Sequence, residues 1–386
     1  MNITKLTDSI YYVGAVDWNV RSFHGYSTNS GATYNAYLIM DEKIALIDTV
    51  KAPFAGELLE RISEIVDPAK IDYVVSNHVE MDHSGALPEV MKVAKNAKVV
   101  TSFPNGVKGL KAHYGEYDYL PVKAGDTLSL GRHTLTFVAT PMVHWPDNMV
   151  TYCPEEQILF SNDAFGQHFA SSQHFDTEVD LSRVFREAEK YYANIVMPYG
   201  VQTRKALEIV NTLELKMIAP SHGVIWTKHI PDILKKYDYF TNGETENRAV
   251  VVYDSMWHST EKMAQAIVEG FSKKGVDARL YDLKANHISD IMTDVLKAEY
   301  VVVGSPTLNN NMMPTVAGFL TYMKGLSPKK RKGFGFGSYG WGGQSAGQIQ
   351  DVLKESGFEL IHEPVKMAYI PSGEDLKKLE EEVASL

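Results

Sequence analysis

The chain has 386 residues, long for one domain, so two domains are expected. A composition that is 44% hydrophobic and 22% charged is that of a folded globular protein and excludes extended disorder. With 48 Asp plus Glu against 38 Lys plus Arg, a net charge of −10, the surface is too acidic for non-specific nucleic-acid binding. The single cysteine, Cys153, excludes an internal disulfide, a Cys-ligated zinc ribbon, a rubredoxin-type iron and an iron–sulfur cluster. The N-terminus opens no signal-peptide pattern, and no apolar run of about 18 residues occurs. A soluble, cytoplasmic protein with no membrane association is expected.

In chain order, Tyr34–Met40 and Ile44–Asp48 are β-rich apolar runs around Asp41-Glu42-Lys43 and predict a hairpin. Ala55–Val66 has helical spacing, with Leu58, Leu59, Ile62 and Ile65 on one face and Pro68 beyond it as a stop. Short β-compatible runs follow at Ile71–Ser76, Ala97–Ser102, Thr134–Thr140, Met149–Tyr152, Ile158–Phe160 and Met217–Pro220. Several of them end directly in His or Asp, which predicts side chains converging at one rim of a sheet. The polar stretch Thr241–Asn247 has no large apolar residue and is the candidate linker, dividing the chain into 1–247 and 248–386. After it come strand Ala249–Tyr253, an amphipathic helix over Glu261–Lys274, strands Tyr300–Gly304 and Gly333–Gly337, and a closing helix over Gly373–Leu386. That alternation predicts an open parallel sheet.

The densest chemical signal is His78-Val79-Glu80-Met81-Asp82-His83, directly after a predicted strand. An extended backbone there would point His78, Glu80 and Asp82 to one side. Further ligand types stand at strand ends: His144, Asp163 and His222. The order resembles the metallo-β-lactamase fold, whose signature is H-x-H-x-D-H followed by a His, an Asp and a final His; the match spans roughly residues 1–245. One position departs from it, because the second motif histidine is Glu80. Replacing an imidazole by a carboxylate hardens the site and favours iron over zinc. His113, His133, His229, His287 and His362 sit in ordinary polar contexts and are assigned no role.

The last third resembles flavodoxin along its whole length. The first strand runs into Ser255-Met256-Trp257-His258-Ser259-Thr260, where a helix begins; hydroxyls and backbone N–H groups there form an anion site suited to the phosphate of flavin mononucleotide (FMN). His258 stands where flavodoxins commonly carry Gly, and either donates to the phosphate or faces solvent. The next loops, Ser305-Pro306-Thr307-Leu308-Asn309 and Ser338-Tyr339-Gly340-Trp341-Gly342-Gly343, lie where a doubly wound sheet places a flavin ring, with Tyr339 and Trp341 available to stack on it.

The two halves together resemble the A-type flavodiiron proteins. The resemblance implies an N-terminal metallo-β-lactamase-like αββα sandwich followed by a flavodoxin-like doubly wound parallel sheet. It also implies FMN and two iron ions, with reduction of dioxygen to water, of nitric oxide to nitrous oxide, or both. One iron takes the positions of His78, Glu80 and His144, the other those of Asp82, His83 and His222, and Asp163 bridges. Tyr199 and His24 match family residues near the substrate, as proton or hydrogen-bond donors or as ordinary packing residues; Trp145 is read as packing. A head-to-tail homodimer, or a dimer of dimers, is implied, as is an external donor, a rubredoxin-like protein or reduced coenzyme F420. Two ferrous ions and a reduced flavin hold the four electrons that dioxygen needs. The alternatives are a binuclear zinc hydrolase and a non-catalytic diiron oxygen sensor.

Overall fold

The structure is a computed structural model that describes residues 4–386. It divides into two compact units. The first comprises residues 4–24, Thr28–Tyr191 and Val201–Asp238, the second Gly25–Ser27, Tyr192–Gly200 and Tyr239–Leu386.

The first unit is built on two sheets. One runs in the order Thr4–Lys5, Ile10–Tyr12, Tyr37–Ile39, Ile44–Ile47, Ile71–Ser76, Lys98–Ser102, Tyr119–Val122, antiparallel up to Ile44–Ile47 and parallel beyond it. The other runs Thr127–Ser129, Thr134–Ala139, Met149–Cys153, Ile158–Asn162, Met217–Pro220. Strand alternation sorts the first sheet's side chains into two cores. Tyr37, Ile39, Ala45, Ile47, Val75 and Val100 face Phe137, Met149, Ile158 and Phe160 of the second sheet. Their neighbours Leu38, Leu46, Val74 and Val99 face Leu58, Ile62, Leu87 and Val90 on helices Ala55–Ser63 and Leu87–Val93. Helix Leu181–Tyr191 packs beside the second sheet, Phe185 stacking on Trp226, which pairs with Ile218.

The predicted hairpin is present as Tyr37–Ile39 with Ile44–Ile47. Tyr34, however, belongs to a separate ribbon in which Ala32–Tyr34 pairs with Ala15–Asp17. Asn35 makes the break: its amide side chain donates to the carbonyls of Pro220 (2.8 Å) and Gly223 (3.0 Å), tying this turn to the far end of the second sheet.

In the second unit the strand order is Asp277–Asp282, Glu246–Tyr253, Ala298–Gly304, then Lys332–Gly333 with Gly335–Tyr339, then Glu359–Leu360 with Val365–Ala368, all parallel. This is a doubly wound order with its switch point between Glu246–Tyr253 and Ala298–Gly304, the first and third strands in sequence. Helices Ser259–Lys273 and Gly373–Ala384 cover one face through Met263, Ile267, Phe271, Leu379 and Val383. Helices Ile288–Val295, Pro314–Leu326 and Gln344–Glu355 cover the other through Met292, Phe319, Ile349 and Leu353. Helix Ile230–Thr241 and strand Glu246–Tyr253 leave only 242–245 irregular between them. The predicted strand Gly333–Gly337 is broken at Phe334. Its glycines admit close backbones: a Cβ on Gly337 would lie 1.9 Å from the Ser305 carbonyl oxygen, so only Gly lets that loop approach.

Candidate metal centre and cofactor loops

The His78 segment is held by Asn77. Its backbone N–H and side-chain amide both donate to Asp48 (2.8 and 3.0 Å), its side-chain oxygen accepts from Thr151 (2.7 Å), and its carbonyl accepts from Met149 N–H (3.0 Å). Asn77 thus joins the ends of both sheets and fixes where the ligand-type residues start. The extended run expected for His78–Asp82 is not what forms. Residues 77–80 are a loop, and Met81–Ser84 is a helical turn begun by His83 and Ser84 N–H groups donating to the Glu80 carbonyl (3.0 and 2.9 Å). The turn wins because Ser84 Oγ also donates to the Val79 and Glu80 carbonyls (2.7 and 3.0 Å) and competes with an extended path. Asp82 therefore parts from His78 and Glu80 and joins His83.

The seven predicted ligand-type residues come together, all buried, in two sets. His78, Glu80, His144 and Asp163 form one, and Asp82, His83 and His222 the other, each within 4.8 Å. In the first, Nε2 of His78 and of His144 lie 3.3 and 3.2 Å from Glu80 Oε2, and 3.7 and 3.6 Å from Asp163 Oδ2. In the second, Nε2 of His83 and of His222 lie 3.3 and 3.2 Å from the Asp82 oxygens, and 3.0 and 3.4 Å from Asp163 Oδ1. Asp163 turns one oxygen to each set.

These residues fit a pair of metal ions. A first-row metal bound at about 2.0–2.2 Å holds adjacent donors roughly 3.0–3.5 Å apart. Both Asp82 oxygens, His83 Nε2 and Asp163 Oδ2 are buried without a hydrogen bond among the described residues. Burying three carboxylates together is costly unless cations compensate. Without metal the imidazoles take that part. Burial pushes His222 toward neutrality, but the adjacent Asp163 and Asp82 carboxylates prevail and raise its pKa to about 10. Burial likewise opposes charge on His78, and the carboxylates of Asp147 and Glu80 hold its pKa well above the ordinary value. Burial would raise the Asp163 pKa, yet the surrounding imidazoles hold it well below the carboxylate range.

Supporting groups escaped the sequence reading. Asp147 Oδ2 accepts from His78 Nδ1 and from Val79 N–H, both at 2.8 Å. His222 Nδ1 donates to the Thr33 carbonyl at 2.6 Å, and Tyr191 OH donates to Asp163 Oδ1 at 2.9 Å. The only sequence signal for Asp147 is a carboxylate three residues beyond His144. Predicted His24 reaches the site: its Nε2 lies 2.7 Å from Glu80 Oε1 while 63% of its side chain is exposed. Tyr199 falls on the 192–200 segment, which belongs to the second unit. Trp145 stands edge-on to His78, ring centroids 5.1 Å apart. His133 is held structurally, its ring nitrogens 2.7 Å from Asp41 and 3.1 Å from Glu156.

In the second unit a cavity of about 410 Å³ opens among Met256, Trp257, Ser259, Pro306, Thr307, Ser338, Tyr339, Gly340 and Trp341, all predicted, with Tyr369 and Ile370 added. The loops are cross-linked: Thr307 N–H donates to the Ser338 carbonyl (2.9 Å), Ser345 Oγ to the Ser305 carbonyl (2.8 Å), and the Thr260 and Ser338 hydroxyls pair at 2.8 Å. Ser255 Oγ is buried with no partner among the described residues, one residue before the loop that leads into helix Ser259–Lys273. An orphan hydroxyl before a helix N-terminus fits a phosphate. Trp257 and Trp341 are 86% and 77% exposed beside the cavity, which leaves their faces available to a flavin ring. His258, exposed, adopts a left-handed backbone, and its Nδ1 meets Glu261 at 2.6 Å. Leu308 and Asn309 form a turn outside the cavity, and Gly342 and Gly343, both with positive φ, lead into helix Gln344–Glu355 without lining it.

Residues 32–223 match the model of the ODP family beta lactamase, and 251–382 that of flavodoxin. The chain is 46% identical over 380 residues to a nitric oxide reductase of Moorella thermoacetica, covering 97% of this chain and 95% of that protein. The structure of rubredoxin oxygen:oxidoreductase from Desulfovibrio gigas superposes with a TM-score of 0.97 at 43% identity, covering 100% of this chain and 97% of that one. The flavodiiron protein of Giardia intestinalis gives a TM-score of 0.97 at 37% identity, covering 100% and 96%. Both modules, their order and nearly the whole length are shared with these proteins, and the chain belongs to the flavodiiron protein family.

Proposed function

We propose that the chain is an FMN-dependent diiron oxidoreductase that reduces dioxygen to water, nitric oxide to nitrous oxide, or both. The observation that carries this reading is the division of Asp163, one oxygen toward each buried donor set, with Glu80 supplying a carboxylate in place of an imidazole. His78, Glu80 and His144 would hold one iron, Asp82, His83 and His222 the other, and Asp163 both. When bound, the irons and the flavin supply the four electrons of dioxygen reduction, or the single electron per molecule of nitric oxide.

The protein's own part is orientation and proton supply. Asp147 and Thr33 fix His78 and His222 by hydrogen bonds to the ring nitrogens turned away from the donor edges, and Tyr191 orients Asp163 by donating to Oδ1, the oxygen that faces the second set. Every electron delivered must be matched by a proton. His24 reaches solvent and Glu80 together and is the group placed to bring one in. On motif position, Tyr199 is proposed as a further hydrogen-bond donor. Ser255 and the helix N-terminus at Ser259 would hold the flavin phosphate, and Tyr339, Trp341 and Trp257 its ring.

Electrons come from outside, from a rubredoxin-like protein or reduced F420. The exposed rim of Trp257, Trp341, Tyr369 and Ile370 supports a head-to-tail homodimer in which a partner covers the flavin. No helix among the described residues is long and apolar enough to cross a membrane. A cytoplasmic location is proposed, consistent with a lone buried thiol. The test is metal and flavin analysis of anaerobically purified protein, followed by steady-state consumption of each gas with both donors. A pair of irons and one FMN per chain, with donor-dependent gas consumption, is expected. Stoichiometric zinc without flavin, and hydrolysis that needs no reductant, would establish the hydrolase instead. Reversible oxygen uptake without flavin reoxidation would establish the sensor.

A further inference from the structure

The two donor sets have the same composition. Each offers two imidazole Nε2 atoms, one terminal carboxylate and one oxygen of Asp163. Donor type therefore gives no reason for the sets to bind a metal unequally. The difference lies behind the ligands. His78 Nδ1 meets a buried carboxylate, Asp147 Oδ2, at 2.8 Å. His222 Nδ1 donates to a neutral carbonyl, that of Thr33, at 2.6 Å. His83 Nδ1 is buried and has no hydrogen-bond partner among the described residues. A carboxylate behind an imidazole makes it a stronger donor and locks its ring, a neutral carbonyl does less, and a bare nitrogen does neither.

Asp147 is itself held. Its second hydrogen bond is to Val79 N–H (2.8 Å), its carbonyl accepts from Ser102 Oγ (2.6 Å), and the neighbouring Pro146 carbonyl accepts from Asn105 (3.2 Å). The carboxylate thus sits on a fixed platform spanning the end of strand Lys98–Ser102 and the start of helix Asn105–Tyr114. Because Oδ2 grips both His78 and the backbone of the next residue, it orients the loop and the ring together.

We propose that Asp147 is a positioning residue that makes the centre unequal: the His78–Glu80–His144 set fills first and holds its metal more tightly at equilibrium. This rests on the ligand assignment proposed above. His144 is the most exposed of the seven ligands, so a chelator would reach that set more readily, and release rates would confuse access with affinity. Equilibrium occupancy is therefore the readout.

Apo-protein is equilibrated anaerobically with one equivalent of cobalt(II), crystallised, and the occupancy of each set read from anomalous scattering. In the wild type the Asp147-backed set should carry at least about tenfold more cobalt than the other. In Asp147→Asn that preference should fall about 10–100-fold, to near equality or reversal, while total binding at excess cobalt is retained. Asp147→Glu, which keeps the carboxylate, should restore part of the preference. Equal occupancy in the wild type overturns the proposal, whether or not the variants fold. A preference that survives in a folded Asp147→Asn also overturns it. Cobalt in neither set overturns the ligand assignment itself.

Discussion

Nε2 of His24 and Oε1 of Glu80 lie 2.7 Å apart, while the other oxygen of the same carboxylate faces His78 and His144. One side chain thus joins a solvent-exposed imidazole to the interior of a buried centre.

His24→Gln should therefore leave iron content unchanged, lower kcat for gas reduction by about a hundredfold and alter the dependence of rate on pH. Metal analysis beside a pH–rate profile checks it. An unchanged profile would return His24 to a structural part.

Glu80→His restores the all-histidine motif and removes a carboxylate. The variant, expressed in medium containing both metals, should shift several-fold toward zinc, because imidazole suits zinc while the hard oxygen donor favoured iron. Elemental analysis of variant and wild type purified in parallel gives the ratio; an unaltered ratio would show that Glu80 does not set metal choice.

Ser255 offers two opposed readouts. Its hydroxyl is buried and unsatisfied, so Ser255→Ala should leave the flavin-free protein as stable as the wild type or about 1 kcal/mol more stable. FMN affinity should fall about tenfold or more, since a hydrogen bond to a charged group is worth roughly 1.5–3 kcal/mol. Thermal unfolding of flavin-free protein and a fluorescence titration with FMN measure the two. Equal FMN affinity would remove Ser255 from the phosphate site.

His174 stacks on Tyr12 with ring centroids 4.0 Å apart, and burial, aided by Arg61, lowers its pKa to about 4. The folded state therefore resists protonation that the unfolded chain accepts from about pH 6.5 downward. Stability is intact above pH 6.5 and is lost as pH falls toward 4, by an amount on the order of 3 kcal/mol from this group. His174→Gln should lose less over that window. Urea unfolding of both proteins at pH 7 and pH 5 gives the difference, and parallel losses would contradict the assignment.

The ligand-type residues were legible because most sit within a six-residue motif or directly after an apolar strand, where local order carries the signal. Many strands were legible by their apolar runs, though Ile10–Tyr12, Tyr119–Val122, Thr127–Ser129 and Asp277–Asp282 were not. Alternation with helices predicted an open parallel sheet, whose doubly wound order only the flavodoxin resemblance implied. The helical turn at Met81–Ser84 was not legible, because it depends on Ser84 bonding back to Val79 and Glu80, which period-2 spacing does not register. The supporting residues were not legible either. Asp147 lies 69 residues from His78, Thr33 lies 189 from His222 and Tyr191 lies 28 from Asp163, and each resembles an ordinary polar or aromatic residue in its own neighbourhood.

Sequence alone determined the chemical inventory: one thiol, an acidic chain, four histidines and three carboxylates in a recognisable order, and hydroxyl-rich loops after parallel strands. That inventory excludes thiolate-held iron and requires any iron here to bind nitrogen and oxygen. Tertiary structure decided how the inventory is divided. It turned one oxygen of Asp163 to each donor set, as the resemblance implied, folded Met81–Ser84 into a turn in place of the expected extended run, and placed a carboxylate behind His78 but none behind His83 among the described residues. The physical reason is directionality. Donor identity is a property of single residues, whereas hydrogen bonds and coordination depend on which lone pair faces which neighbour, and only long-range packing sets that.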